Sequence, residues 1–480
     1  MIRKKIGLTG LVLSVVALAA FLIACSNPAG PAGNRQTGGN RDQNITLTPP
    51  GNDGGPVWIM AQGDTVIEQL IWLRDYPGIR NNGRYYVVAR AIDLLPENHI
   101  YGNNNFGITR YNITVLIQSD GAARRTLQLC GNVQGIMLEI GANNTLLLQN
   151  INFEGRSANT APLVDVLANG ALQMTNSEIF GNGARGVRVT SGQFTMRDNA
   201  VIRNNNGGAA LYNGATLTMQ GNSVIRHNII TVATNGGGVR GVQSIIHMYD
   251  DARIYRNEAN LGGGVIFFGG DIFMWDRAAI SHNEATPSLS GGTGVSAGIH
   301  FFPNSRLFMH NNATISHNTA SGSTGGIQAQ QSHIFMYDNA AISYNTAPGG
   351  GGVVMVLASS LNMHGDNVHI SGNRALRDNP PGRGGGVLLN DNDTLNISGG
   401  RIQGNITSDG FTANTTLIDT GTAALYFQLA PNAVAQAGTY IPSGTPGVPG
   451  TFTPNASIQT IPSTNNTIRV WNNGNDREGW

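Results

Sequence analysis

Apolar and polar positions along this chain fall on a frame that repeats. The spacing M-x5-I-x2-N is met by Met196, Ile202 and Asn205, by Met219, Ile225 and Asn228, and by Met248, Ile254 and Asn257. It continues through Met274, Ile280 and Asn283, then Met309, Ile315 and Asn318, then Met336, Ile342 and Asn345. Looser copies flank these, with Met174, Ile179 and Asn182 on one side, and Met363, Ile370, Asn373 and Ile397, Ile402, Asn405 on the other. Degenerate terminal copies are the rule in repeat arrays. Between each asparagine and the next methionine stand glycines followed by an apolar residue, as G-G-G-V at 236–239 and 262–265 and G-G-I at 325–327. The unit reads as three short strands, at 265–268, 272–274 and 279–281 in the best-formed copy, separated by the turn strings G-G-D and W-D-R-A.

No single unit of this size buries its Met, Ile and Val, but stacked units do, each strand pairing with its equivalent about 4.8 Å away. The pattern predicts an all-β, right-handed parallel β-helix over 111–405, with Met and Ile inward and asparagine in a column at one corner. An amide there both donates and accepts, and so bonds its own turn and the next coil. Glycine suits the adjacent bend because it adopts φ > 0 without strain. The Asn-to-Asn interval runs from 23 residues (Asn205 to Asn228) to 35 (Asn283 to Asn318), and the extra residues fall between the asparagine and the glycines. Insertions at one corner leave the core intact.

Two caps are expected. Over 57–110, Asp64 is the candidate N-cap of an amphipathic helix with Glu68 in its first turn and Val66, Ile67, Leu70, Ile71 and Leu73 on its apolar face. With the strand Y-Y-V-V-A after it, and I-T-V-L-I and R-T-L-Q-L beyond, this segment forms a plug for the open end of a solenoid. Over 406–480 the repeat decays into A-A-L-Y-F-Q-L, a Pro/Gly-rich run and T-I-R-V-W-N, read as a small β cap.

The paired G-G-[AVI] and I-x-x-N elements resemble the repeats of polymorphic outer-membrane proteins and of right-handed β-helix proteins of the pectate-lyase superfamily, over about Tyr111 to Asn405. Ile stands where the outer-membrane repeats place Phe. Those proteins end in a membrane barrel, which needs many alternating segments of about 10 residues. The 406–480 segment is too short for one.

The chain begins with Arg3, Lys4 and Lys5, an apolar stretch from 11 to 24 interrupted only by Ser14, and L-I-A-C ending at Cys25. A basic head, a short apolar run and a small residue before the break describe a removed export signal, 1–24. Its similarity to bacterial lipoprotein signals implies a diacylglyceryl thioether and an acylated amino group on Cys25, hence a lipid-bilayer anchor. Residues 25–56 carry almost no large apolar side chains and read as a flexible tether. The expected location is the cell envelope, most plainly the outer membrane; Ser26 lacks the Asp signal for inner-membrane retention and leaves the surface and periplasmic faces open. Loss of the three head cations takes the formal charge from +1 to −2. No basic run follows, which removes support for nucleic-acid binding. Both lysines lie in the signal, so the cations of the body are arginines. Cys130 is the one other cysteine, so an intramolecular disulfide is excluded once Cys25 is lipidated.

Candidate chemistry is sparse. Asp198, Asp250, Asp276 and Asp338 each follow a column methionine by two positions, which puts Asp250 and Asp276 on adjacent coils as a carboxylate pair or Ca²⁺ site. The same column holds Gly221 and Asn311, and Asp, Asn and Gly share a preference for tight turns. A second column, His227, Arg256, His282, His317 and Tyr344, precedes the asparagines and stacks His282 on His317, a pair short of a third metal ligand. Tyr249, Trp275 and Tyr337 form a third stripe, suited to sugar rings or to packing on the neighbouring turn. With no cofactor or metal motif, the expected function is a non-enzymatic adhesin or envelope scaffold whose ligand-facing stripe is Tyr249, Trp275, Tyr337, His282 and His317. A glycan or a host or envelope protein is the expected partner. The alternative is a polysaccharide-binding or polysaccharide-degrading β-helix.

Overall fold

The computed structural model describes most of residues 57–406, with gaps that include 96–111, 130–134, 231–235, 288–293 and 377–384, and beyond 406 it includes only the backbone of short strands. The signal 1–24, Cys25, the tether 25–56 and Cys130 lie outside the described residues, as do the side chains of the expected C-terminal cap.

The body is a parallel β-helix. Met248 stands on Met274, Met274 on Met309 and Met309 on Met336, and the isoleucines Ile254, Ile280, Ile315 and Ile342 stack the same way. The looser copies keep this register: Met174 pairs with Met196, Met336 with Met363, Met363 with Ile397 and Ile370 with Ile402. The methionines and isoleucines of the six strict copies are fully buried in one continuous core.

In the coils that open at Val239, Val265 and Ile299 two of the three expected strands are joined in one bent strand, whereas elsewhere, as at Val187–Thr190 and Gln193–Arg197, they stay separate. Val265–Met274 pairs in the same register with Val239–Met248 on both sides of the bend: Phe268 pairs with Val242 and Gly270, at φ 112°, with Ser244, while Gly269, at φ 78°, stands outside the ladder. A further two-residue strand follows Asn257, Asn283, Asn318 and Asn345, as in Glu258–Ala259 and Glu284–Ala285, and Ala285, Ala320 and Ala347 of these strands build a small second core with Ala297.

The asparagines form a buried ladder. Asn283 donates from its backbone N and its Nδ2 to Oδ1 of Asn318, both at 3.0 Å, and from Nδ2 to the Ile254 carbonyl at 3.0 Å. Its own Oδ1 accepts from Asn257 N at 3.0 Å and Asn257 Nδ2 at 3.1 Å. The pattern runs from Asn182 to Asn405, including the looser copies. The neighbouring glycines serve it mainly by being small. A Cβ on Gly298 would lie 2.4 Å from the Gly326 carbonyl and 3.1 Å from Asn318 Nδ2, at an ordinary φ. The expectation of positive φ holds at Gly207, Gly236 and Gly262, each first in its cluster; other left-handed residues include the Asp and His columns and the bend between the first two strands, as at Gln243 and Asn304.

At the N-terminal end, Arg84–Ala89 already stacks in parallel on Thr114–Ser119, which stacks on Thr145–Gln149, so the ladder extends into the 57–110 segment. The helix Val66–Asp75 buries Val66, Leu70 and Leu73, whereas Ile67 and Ile71 are half-buried. Its N-cap is Thr65 instead of Asp64: Glu68 N donates to Thr65 Oγ1 at 3.2 Å, and Glu68 Oε2 accepts from Thr65 N at 3.1 Å and Asp64 N at 2.8 Å. T-x-x-E closes a reciprocal capping box that Asp64, one residue too early, does not. Gln69, fully buried, accepts from Val88 N at 2.8 Å and donates to Val88 O at 3.0 Å, taking over where Trp58–Met60 stops covering the edge of the first coil.

Candidate functional site

The Asp column sits at a corner in the left-handed region, with φ of 52° at Asp198, 55° at Asp250 and Asp276, and 56° at Asp338. Asp250 and Asp276 do lie on adjacent coils, but each carboxylate is aimed at the backbone of the preceding coil. Asp250 Oδ2 accepts from Gly221 N at 2.8 Å, Asp276 Oδ2 from Asp250 N at 3.1 Å and Asp338 Oδ2 from Asn311 N at 2.8 Å. Turn chemistry thus accounts for the column, including its Asn and Gly members. Among the described residues no group of three His, Cys, Asp or Glu side chains gathers to hold a metal ion.

The aromatic stripe contains a further member, His310, which follows its column methionine like the others but carries an imidazole instead of a Trp or Tyr ring. Trp275 stacks on His310 at 3.9 Å and 6°, His310 on Tyr337 at 4.4 Å and 5°, and Tyr337 meets His364 at 5.3 Å. Tyr249 instead lies against His247, at 6.0 Å. A parallel stack lies beside it, His247, Phe273, Phe308 and Phe335, with centroids 4.9–5.0 Å apart. Neighbouring coils therefore occupy ring faces along the stack, and its middle members present edges outward. Sugar stacking uses a free face.

His282 and His317 are exposed, left-handed at φ 53° and 57°, and stacked at 4.9 Å with planes 3° apart, with Tyr344 next at 5.1 Å. Imidazole lone pairs lie in the ring plane, so two parallel rings at this spacing point side by side. They do not converge on one ion at about 2.0–2.1 Å. Partial burial, then His317 and Arg256, hold the His282 pKa below the usual imidazole value.

A carboxylate pair on the first strand of the early coils lies off the methionine column, which therefore gives no signal for it. Glu139 stands on Asp165 and Asp165 on Arg188. Arg188 grips Asp165 with two bonds, Nε to Oδ1 at 2.8 Å and Nη2 to Oδ2, while Glu139 Oε1 is buried without a hydrogen-bond partner. Burial, and then the Asp165 charge, push the Glu139 pKa up to about 7. With 9% of Glu139 and 1% of Asp165 exposed, a polymeric substrate has little access to this pair.

Comparison with protein-family models, curated proteins and solved structures finds no match for this chain. Its likeness to outer-membrane and pectate-lyase-type repeats rests on the repeat pattern alone.

Proposed function

We propose that this chain is a lipoprotein, anchored in the outer membrane through acylated Cys25, whose β-helix serves without catalysis as an adhesin or envelope scaffold for a glycan or a host or envelope protein. The observation that carries the non-catalytic part is the pairing of outward acids with the adjacent coil: Asp271 with Arg306, Asp251 with Arg277, Asp250 and Asp276 with backbone amides. A general acid or base must reach a substrate proton. Carboxylates already engaged along the rod are instead suited to making its surface regular. The basic head, apolar run and L-I-A-C string support the anchor.

Two measurements test the reading. Labelled palmitate is incorporated by the wild-type chain and not by Cys25→Ala, which leaves the membrane fraction; a membrane-bound, unlabelled wild type refutes the anchor. Purified protein incubated with acidic and neutral polysaccharides, with and without Ca²⁺, gives no depolymerisation. Turnover that disappears in Asp276→Ala establishes the enzymatic alternative.

A further inference from the structure

The bend between the first and second strands of a coil varies in length, and the variation carves a notch. Tyr212 and Thr216 stand on Val242 and Ile245, so three residues, 213–215, cross the bend in one coil and two, Gln243 and Ser244, in the next. The following coil again uses two, Gly269 and Gly270, between Phe268 and Asp271; the one after uses three, Pro303, Asn304 and Ser305, between Phe302 and Arg306. Two tight bends between two wide ones leave a cavity of about 450 Å³, inside the range of about 300–1,000 Å³ for small-ligand pockets. Glycine deepens it: a Cβ on Gly269 would meet nothing nearer than 3.7 Å, and one on Gly214 nothing within 4 Å.

The lining sets the ligand class. Gln243 and Asn304, both exposed, bring amides from two different coils, and an amide both donates and accepts. Asp271 adds a carboxylate held rigid and neutralised by Arg306, whose Nε and Nη2 bond it at 2.7 Å each. Ile245 and Pro303 are apolar. Phe268 offers its edge, because Phe302 stacks on it at 4.4 Å and the Arg240 guanidinium lies 5.0 Å from its ring centre. Amide and carboxylate groups beside apolar walls match a ligand with many hydroxyls and apolar C–H surfaces. No cation in the lining is offered to an anion.

We propose that this notch binds an uncharged saccharide of one or two rings through Gln243, Asn304 and Asp271. The proposal rests on the reading of the rod as an interaction scaffold and supplies its ligand class. The test titrates the full chain in detergent with cellobiose, maltose, N,N′-diacetylchitobiose and digalacturonate to about 10 mM, followed by calorimetry and ligand-observed NMR. At least one neutral disaccharide binds, and the double variant Gln243→Gly/Asn304→Gly weakens it at least about tenfold. Glycine suits the positive φ of 49° and 67° at these positions, so that variant keeps its fold. Ile245→Trp, which fills the notch from its wall, also abolishes binding, whereas Asn199→Ala on another face leaves it unchanged. Binding that survives both notch variants, binding of digalacturonate alone, or no binding of any probe overturns the proposal. Palmitate labelling and the depolymerisation assay report on the scaffold reading separately.

Discussion

At the scale of single residues, this rod is held by side chains that bond one coil to the next. The asparagine ladder has the highest stake, since its amides are buried and each depends on the next. Asn318→Ala removes the acceptor of Asn283 N and Nδ2 and the donor to the Ile280 carbonyl. Orphaned buried groups of this kind cost about 2–4 kcal/mol together, so the urea midpoint falls well below wild type, while exposed Asn312→Ala leaves it nearly unchanged. Glu139 is a second sensitive residue. Its folded pKa of about 7 lies above the ordinary carboxyl value of 4.5, so the folded state holds the proton more tightly than the unfolded one. Its contribution is complete below about pH 4.5 and is lost as pH rises through about 7. Glu139→Gln removes this loss; a variant whose thermal midpoint falls between pH 5 and 8 as steeply as wild type contradicts the assignment. The arginine-only body also has a geometric reason here. Arg125, Arg188, Arg277 and Arg306 each hold an Asp with two bonds, a fork that a lysine ammonium lacks.

At the scale of elements, strand register was legible because methionine and isoleucine mark inward positions at constant spacing. The joining of the first two strands at Val265–Met274 was not, because G-G-D reads as a turn by composition and only the neighbouring coil shows that pairing resumes in the same register across it. The helix was legible from its apolar period, but its cap was misplaced by one residue because Asp64 and Thr65 are both good N-caps and the partner, Glu68, decides between them. Gln69 was invisible to a search for apolar faces, yet its amide continues the sheet edge past Met60. Gln69→Ala leaves Val88 N–H and C=O without those bonds. A loss of about 1–3 kcal/mol is expected, together with faster amide exchange at Val88 and greater self-association through the opened edge.

At the scale of the whole molecule, stacking turns each local choice into a column, so histidines with modest individual effects act together. His300 is 4% exposed and burial lowers its pKa to about 4; His247, His282, His310 and His333 are shifted in the same direction, mainly by burial. A depressed imidazole contributes stability that is present above about pH 6.5 and is lost as pH falls toward 4. Acidification over that interval therefore removes stability that these histidines supply, opposite in sign to the Glu139 gain, and below about pH 4.5, where the Glu139 contribution is already complete, the melting temperature drops. His300→Gln, neutral throughout, reduces the drop; an unchanged acid profile in that variant excludes His300 as a source.

The sequence by itself determined the parallel solenoid, the inward Met and Ile columns and the asparagine corner, because a stacked coil writes each column as a residue type at near-constant spacing. It also carried the basic head, apolar run and Cys25 on which the anchor proposal rests. Tertiary structure alone decided what the polar columns do. Whether Asp250 faces a cation or a backbone amide, whether Trp275 offers a face or an edge, and whether unequal bends leave a notch at Gly269 all depend on the coil above and the coil below. Those neighbours lie about 25–35 residues away along the chain, at distances that spacing identifies but whose side-chain geometry only stacking sets.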